Sequence, residues 1–206
     1  MIDEGYIKYN CHWKKDKSLL PEKWKKLNEY RNSLYKMGLI GAYPDSGIGF
    51  GNVSIRDTDN PLNFIITGTK TGQLEELGPM HYTMVEAYDI QANTVFCRGP
   101  IKASSEALTH AMIYQLGGGL YDAIIHVHSL EMWKRLLNVV PTTGDTISYG
   151  TPEMAFEVKR LFQEGKLEEQ KILAMAGHYE GIITFGKSLE QAFEVLECFH
   201  SQKTRT

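Results

Sequence analysis

The stretch Ala103–Ser129, ASSEALTHAMIYQLGGGLYDAIIHVHS, decides how the rest of this chain can be arranged. Its apolar end carries His126 and His128, and side chains two residues apart in a strand project from the same face, roughly 6–7 Å apart at Cα. Two imidazoles placed in this way can bind one cation at about 2.0–2.1 Å each. A single histidine in an apolar run is more often a hydrogen-bonded core residue, but two on one buried face would each cost roughly 1–3 kcal/mol if unpaired. The pair therefore favours metal ligation.

Before the histidines, the same stretch predicts a helix and then a buried strand. Leu108, Met112 and Leu116 recur at helical spacing, which predicts a helix over 106–116 with Ser105 as its N-cap. Three glycines at 117–119 end that helix. The apolar run that follows predicts a strand over 122–128, and the pattern over 130–137 predicts the next helix.

Two residues outside the His-x-His pair complete a candidate metal site. His178, in AGHYEG, is a third candidate ligand, and Glu106 supplies a carboxylate in the first turn of the predicted helix. Taken alone, His178 is also typical of a strand end, and Glu106 of a capping or helix-dipole group. Three histidines with one carboxylate nearby are typical of a catalytic zinc site that keeps an open position. His110, four residues after Glu106, would hydrogen-bond Glu106 or line the cleft rather than bind the metal.

The rest of the chain predicts strands that alternate with helices in one layered α/β or α+β structure. The predicted elements are a helix from Pro21 to Gly38, strands at 52–56 and 63–67, a short helix within 79–87, a hairpin over 88–98 with its turn near 92–93, a loop over 141–149, a helix from Pro152 through Phe162, strands at 172–176 and 181–185, and a last helix capped by Ser188 and Gln191.

Two segments of small residues are candidate anion sites. Asp45–Arg56 contains three glycines but not the G-x-G-x-x-G fingerprint of a dinucleotide loop, so it is either a turn or backbone exposed to an anion, with Asn52 able to donate a hydrogen bond. The segment 68–72, GTKTG, is rich in hydroxyl groups and amide donors. Such loops can bind a phosphate, although many only turn the chain.

Composition excludes several classes of protein. The chain has 206 residues, 42% of them hydrophobic and 23% charged, with a formal net charge of −3. This length supports one domain with its own core, and the charge lacks the basic excess of a nucleic-acid-binding surface. We therefore expect a single domain over 1–206 and no nucleic-acid partner. Residues 1–19 are expected to form an arm that docks through Tyr6, Tyr9 and Trp13.

The cysteines and the N-terminal sequence predict a location. Cys11, Cys97 and Cys198 are widely spaced and odd in number, so they form neither a disulfide framework nor a CxxC motif. The first residues lack the basic and apolar regions of a signal peptide, and no apolar run approaches about 18 residues. We therefore expect a cytoplasmic protein without a membrane partner.

Six short motifs, taken in order, resemble the class II aldolase/adducin family. They are GNVSIR at 51–56, Ile66-Thr67 with the loop after it, SSE at 104–106, HVHS at 126–129, YGT at 149–151, and Gly177-His178 before a final strand and helix. The resemblance covers roughly residues 22–200. It implies an α/β fold of the class II aldolase type, with a central, mostly antiparallel β-sheet layered between α-helices.

The same resemblance implies a zinc-dependent aldolase of carbohydrate metabolism that acts on a small sugar phosphate through a metal-stabilised enediolate. Zn²⁺, or another divalent transition metal, would be held by His126, His128 and His178, with Glu106 as the acid/base. Imidazole ligands make Mg²⁺ a poorer choice. The phosphate would be bound by a set of polar residues, which is Asn52, Thr69, Ser104 and Ser105. Because the family is commonly a four-fold homotetramer, a homotetramer is expected by resemblance only.

Two departures concern the half of the reaction that handles the aldehyde. The segment between His128 and His178 is short, with the deficit around 138–148, where the family's aldolases have a tyrosine for protonating the departing aldehyde oxygen. Tyr149 matches a different segment. The chain also ends soon after its last predicted helix, where the family has a tail with a second functional tyrosine. Three alternatives stay open: a sugar-phosphate dehydratase or epimerase of the same family, a non-catalytic adducin-like binding module, and a metal-binding protein without physiological turnover.

Overall fold

Strands and helices follow one another along residues 5–202, the part of the chain that the computed structural model describes. The strands are β1 (Asn10–Lys15), β2 (Gly41–Ala42), β3 (Gly49–Phe50), β4 (Asn52–Arg56), β5 (Phe64–Thr67), β6 (Tyr82–Asp89), β7 (Thr94–Gly99), β8 (Ala123–His128), β9 (Ile172–Ala174) and β10 (Gly181–Gly186). The helices are α1 (Pro21–Lys36), α2 (Ala107–Gly117), α3 (Leu130–Leu136), α4 (Pro152–Gln163), α5 (Lys166–Gln170) and α6 (Leu189–His200).

Eight of these strands form one sheet in the order β1-β7-β6-β5-β4-β8-β10-β9, and β2 pairs with β3 in a separate ribbon. Neighbouring strands of the large sheet run antiparallel, except for β1 and β7, which are parallel. The predicted mostly antiparallel sheet is therefore confirmed. β8 lies near the middle of the sheet, between β4 and β10, and all six of its residues are buried.

Helices cover both faces of the sheet, each over its own apolar core. Leu34 of α1, Leu136 of α3 and Leu196 of α6 belong to one core. Leu108 of α2 and Val158 of α4 belong to the other. Since each helix buries one apolar stripe, the sheet between them must be apolar on both sides, and this explains why its central strands read as continuous hydrophobic runs.

Two local predictions are wrong. The helix predicted within 79–87 is a single 3-10 turn, Pro79–His81, because β6 begins at Tyr82 and pairs with both β5 and β7. The helix predicted from 106 begins one residue later, at Ala107, so Glu106 and not Ser105 is its N-cap residue.

Part of the predicted arm is a strand of the sheet. β1 adds to the sheet edge along β7, with Trp13 Nε1 donating to the carbonyl of Gly99 at 3.0 Å. Tyr9 is buried, as expected for docking, whereas Tyr6 is 60% exposed. The organisation as a single domain over 1–206 stays a prediction, and residues 1–4 and 203–206 lie outside the described part. Within 5–202, no helix combines the length and the apolar composition that crossing a bilayer requires.

Candidate metal centre

The His-x-His pair lies at the carboxyl-terminal end of β8. Side chains alternate along this strand, so that Ile125 and Val127 enter the core under α1, while Ile124 enters the core under α2. His126 and His128 share the face of Ile124. Their Nε2 atoms are 3.2 Å apart, and both residues are almost completely buried.

His178 reaches the pair from the turn between β9 and β10. The backbone of this turn is closed by two bonds, His178 N–H to Met175 O and Gly181 N–H to His178 O. Gly181 also pairs directly with His128 across the strands, and a Cβ atom at Gly181 would lie 2.9 Å from the carbonyl oxygen of His178. The turn therefore needs a glycine at 181 in order to bring His178 against the end of β8.

The three histidines form a group that could hold one metal ion. One nitrogen from each of His126, His128 and His178 lies within 4.8 Å of the others, and all three residues are buried. Two nitrogens bound at about 2.05 Å to a tetrahedral ion would be about 3.3 Å apart, close to the spacing of the Nε2 pair. This group could therefore bind a metal, and a fourth position would remain for a substrate oxygen.

Contacts from outside the triad orient its rings. His126 Nδ1 is 3.2 Å from the carbonyl oxygen of Ile182, which can only accept, so the ring hydrogen lies on Nδ1 and Nε2 keeps its lone pair. His128 Nδ1 is 2.8 Å from the hydroxyl of Tyr43. The ring of Tyr149 stacks on His178 with a centroid distance of 4.7 Å. Such outer contacts commonly fix the orientation of metal ligands.

Electrostatics also favour neutral imidazoles. Burial, and then the neighbouring His178, hold the pKa of His126 and of His128 well below the usual range of histidine. A neutral imidazole is the form that binds a metal. Near this group, burial also lowers the pKa of His110 to about 3.

Glu106 lies at the start of α2 with its carboxyl group facing the triad. Its side chain is buried, and Oε1 is 3.8 Å from His178 Nδ1. The residue is held there by its own backbone N–H, which donates to Ser104 Oγ at 3.3 Å. The sequence predicted that His110 would hydrogen-bond Glu106 or line the cleft, and in the structure its Nδ1 lies 2.7 Å from Ser54 Oγ on β4.

A polar recess adjoins the triad. Asn52 pairs with His126 across β4 and β8, so both side chains lie on one face of the sheet, and Asn52 Oδ1 has no hydrogen-bond partner among the described residues. The end of β5 and the loop after it are joined to the segment before α2 by two bonds, Ser104 N–H to Thr67 O and Thr69 N–H to Lys102 O. The walls of this recess include Asn52, the loop 68–72, Ser104, Ser105, Glu106, His126 and His178.

The structure brings the predicted site residues together. Seven of the eight line the recess, and the eighth, His128, contacts His126. Sequence reasoning missed Tyr43 at His128 and Arg31 behind the loop 68–72. Tyr43 gives no signal in the sequence. Arg31 does, because it falls between Leu27 and Leu34 on the apolar stripe of α1, where a charged residue is out of place.

Comparison with known families finds one match that covers most of the chain. Residues 45–202 match the family described as the class II aldolase and adducin N-terminal domain. Over 117 residues, the chain is 31% identical to a methylthioribulose-1-phosphate dehydratase of Geobacillus kaustophilus (strain HTA426). That match covers 55% of this chain and 48% of the dehydratase, so it spans about half the length of that relative.

Solved structures with the same fold include two fuculose-phosphate aldolases. An L-fuculose 1-phosphate aldolase superposes with a TM-score of 0.64 at 21% identity, covering 87% of this chain and 82% of the aldolase. The L-fuculose 1-phosphate aldolase of Glaciozyma antarctica PI12 gives 0.57 at 17% identity, covering 85% and 69%. An aldolase II superfamily protein of Pseudomonas syringae gives 0.57 at 17% identity, covering 88% and 74%. At these identities the likeness shows the fold alone, a central sheet flanked by helices.

Proposed function

Because the chain belongs to the class II aldolase and adducin family, we propose that it is a metal-dependent lyase acting on a small sugar phosphate. One observation carries this proposal. Three buried imidazoles converge beside a buried carboxylate, and a recess of hydroxyl and amide groups adjoins them. A binding module without catalysis would have no need to bury these groups together, since each buried polar group costs free energy unless it is paired.

The metal would be held by His126, His128 and His178, and three imidazole ligands suit Zn²⁺ or a neighbouring transition metal. When bound, such an ion supplies Lewis-acid stabilisation of negative charge that develops on substrate oxygens. The phosphate would be bound by the recess, through polar groups of Asn52, Thr69, Ser104 and Ser105. Binding there holds the sugar end of the substrate beside Glu106, which lowers the entropic cost of reaction.

Glu106 is proposed to move the proton at carbon. In the cleavage direction the hydroxyl of the future aldehyde gives its proton to water, the adjacent carbon–carbon bond breaks, and the electron pair remains as an enediolate. Glu106 then delivers a proton to the enediolate carbon. In the synthetic direction the same carboxylate removes that proton, as general acid–base catalysis requires.

Dehydration is the second candidate reaction, and one observation favours it. The relative that is 31% identical over 117 residues carries the name of a dehydratase. In a dehydration, Glu106 would remove the proton next to the carbonyl, and the hydroxyl on the following carbon would leave as water after taking up a proton. Both reactions would use the three histidines, Glu106 and the phosphate recess in the same way. The names of this relative and of the aldolases all refer to a ketose 1-phosphate, so that class is the proposed substrate.

The experiment combines metal analysis with product analysis. Purified protein should contain close to one equivalent of zinc or another transition metal per chain, and chelation should abolish turnover of a panel of ketose 1-phosphates. Release of dihydroxyacetone phosphate identifies the aldolase, and loss of water from the intact carbon chain identifies the dehydratase. Metal-free protein that gains no activity with added zinc would contradict the whole proposal.

We also propose a cytoplasmic homotetramer. Light scattering should then give about four times the chain mass of 23.4 kDa.

A further inference from the structure

Arg31 is a buried cation that holds the loop beside the recess. It lies on α1, is 1% exposed, and directs its guanidinium at the backbone just after β5. Nη1 donates to the carbonyl of Glu75 at 2.6 Å, and Nη2 donates to the carbonyls of Thr71 at 3.1 Å and Gly72 at 3.2 Å. Nη2 also donates to the carbonyl of Leu74.

Within residues 5–202, the charge of Arg31 has no acidic partner. Among the ion pairs between residues 5–202, none includes Arg31, and its ring neighbour is Tyr35, with Cζ 4.7 Å from the ring centroid. Burial lowers the pKa of Arg31, as expected for a cation removed from water. The carbonyl oxygens around the guanidinium partly offset the cost of burying its charge, and a counter-charge would offset it further.

The loop 68–72 lies between Arg31 and the recess and contacts both. Thr71 and Gly72, whose carbonyls face Arg31, also line the recess. In a trans peptide the N–H points opposite to the C=O, so the N–H of Gly72 points away from the guanidinium. Between described residues, the N–H groups of Lys70, Thr71 and Gly72 donate to no backbone carbonyl. These donors and the exposed ammonium of Lys70 are therefore available to an anion.

We propose that Arg31 is the positioning residue of this anion-binding loop, and that a doubly charged phosphate in the recess is the counter-charge for its guanidinium. The inference rests on the proposed function, because it takes the recess to be the phosphate site. One peptide group separates the guanidinium from the recess, so the two charges attract across a short, water-poor distance. The site should consequently prefer a dianion to a monoanion.

Three substitutions separate charge from hydrogen bonding. Arg31→Met removes both, Arg31→Gln keeps a donor without charge, and Arg31→Lys keeps the charge without the planar fork. Arg56 offers a matched control, since it also donates to backbone carbonyls, those of Tyr121 at 3.2 Å and Tyr114 at 3.0 Å, but lines a different groove. Arg56→Met therefore removes donors to backbone carbonyls, together with an ion pair to Asp122 at 3.2 Å, without touching the recess.

The probe is inorganic phosphate, titrated calorimetrically into zinc-loaded protein at a pH where the dianion dominates. We expect Arg31→Met to weaken phosphate binding by about tenfold or more, and Arg31→Lys by less, because a charge-assisted contact is lost or loosened. Arg56→Met should bind phosphate within about twofold of wild type. Zinc content should stay unchanged in every variant.

The outcomes distinguish this inference from the proposed function. If wild-type protein binds no phosphate, the recess is not the phosphate site and both proposals fail there. If wild type binds phosphate and Arg31→Met binds it equally well, only the role of Arg31 is overturned. Equal losses in Arg31→Met and Arg56→Met would mean a general structural effect and would also overturn it. Should Arg31→Met not fold, Arg31→Gln decides, since wild-type affinity without the charge contradicts the proposal.

Discussion

At the scale of single residues, the proposed proton transfer by Glu106 can be tested while the candidate metal ligands stay in place. Its carboxyl group is buried and faces His178. The residues that would hold the metal are the three histidines, so Glu106 can be changed without removing one of them. Glu106→Gln is nearly isosteric, so zinc should still bind. Loss of the proton-transfer group should lower kcat by about 10²- to 10⁴-fold.

Steady-state kinetics with the substrate found by product analysis measure this change, and metal content is measured on the same sample. Glu157→Gln is the matched control, because Glu157 is partly buried and pairs with Arg160 on α4 rather than with the site. Its kcat should equal that of wild type. A Glu106→Gln protein with full activity would remove Glu106 from the mechanism.

Which residues meet at the site was partly readable from the sequence. His126 and His128 are two apart on a predicted strand, so their common face follows from strand geometry alone. The contact of Tyr43 with His128 is different, because it depends on how the β2–β3 ribbon folds back over the end of β8. Arg31 falls between these cases. Its position on an apolar stripe marks it as unusual, but only the fold shows that it faces the loop 68–72.

At the scale of elements, the predicted strands and helices are mostly confirmed, and the errors have physical causes. β6 runs through the interior of the sheet and its first four residues are all buried, so it lacks the alternation that identifies a half-exposed strand. β1 lies at the sheet edge and is mostly polar, with two of its six residues only half-buried and four exposed. An edge strand with few apolar residues resembles an arm until its partner, β7, is known.

Tyr9, just before β1, is predicted to stabilise the backbone that leads into Glu106. Tyr9 donates from its hydroxyl toward the carbonyls of Ala103 at 3.1 Å and Ser104 at 3.0 Å, two residues before Glu106. Burial raises the pKa of Tyr9 well above its usual range, so the phenol remains a donor. Tyr9→Phe removes this donor, although the Ser104 carbonyl keeps its bond from the Ala107 N–H, and should lower the free energy of unfolding by about 0.5–1.5 kcal/mol.

Urea denaturation of wild type and Tyr9→Phe measures this difference. Tyr88→Phe is the control, because Tyr88 packs against Phe64 and its hydroxyl has no hydrogen bond to a described residue. We expect that control to lie within about 0.5 kcal/mol of wild type. Equal stability of Tyr9→Phe and wild type would show that the segment is not held through this hydroxyl.

At the scale of the whole molecule, the candidate metal would link parts of the chain that are far apart in sequence. His126 and His128 belong to β8 in the middle of the sheet, whereas His178 belongs to the turn between β9 and β10 near its edge. One nitrogen from each of the three buried imidazoles lies within 4.8 Å of the others, so a metal bound there would join β8 to this turn. Metal binding should therefore stabilise the folded state directly.

The last prediction follows from this link. A ligand that binds only the folded protein, at 100 times its dissociation constant, adds about 2.7 kcal/mol to the free energy of unfolding. For a protein of this length that corresponds to a rise in Tm of roughly 5–10 °C. Differential scanning calorimetry of chelated and zinc-supplemented protein measures the shift, and His178→Ala, which removes one ligand, should show little of it. Chelated and zinc-loaded wild type that melt at one temperature would contradict a metal shared by β8 and the turn at 178, because the bound ion must stabilise whatever it joins.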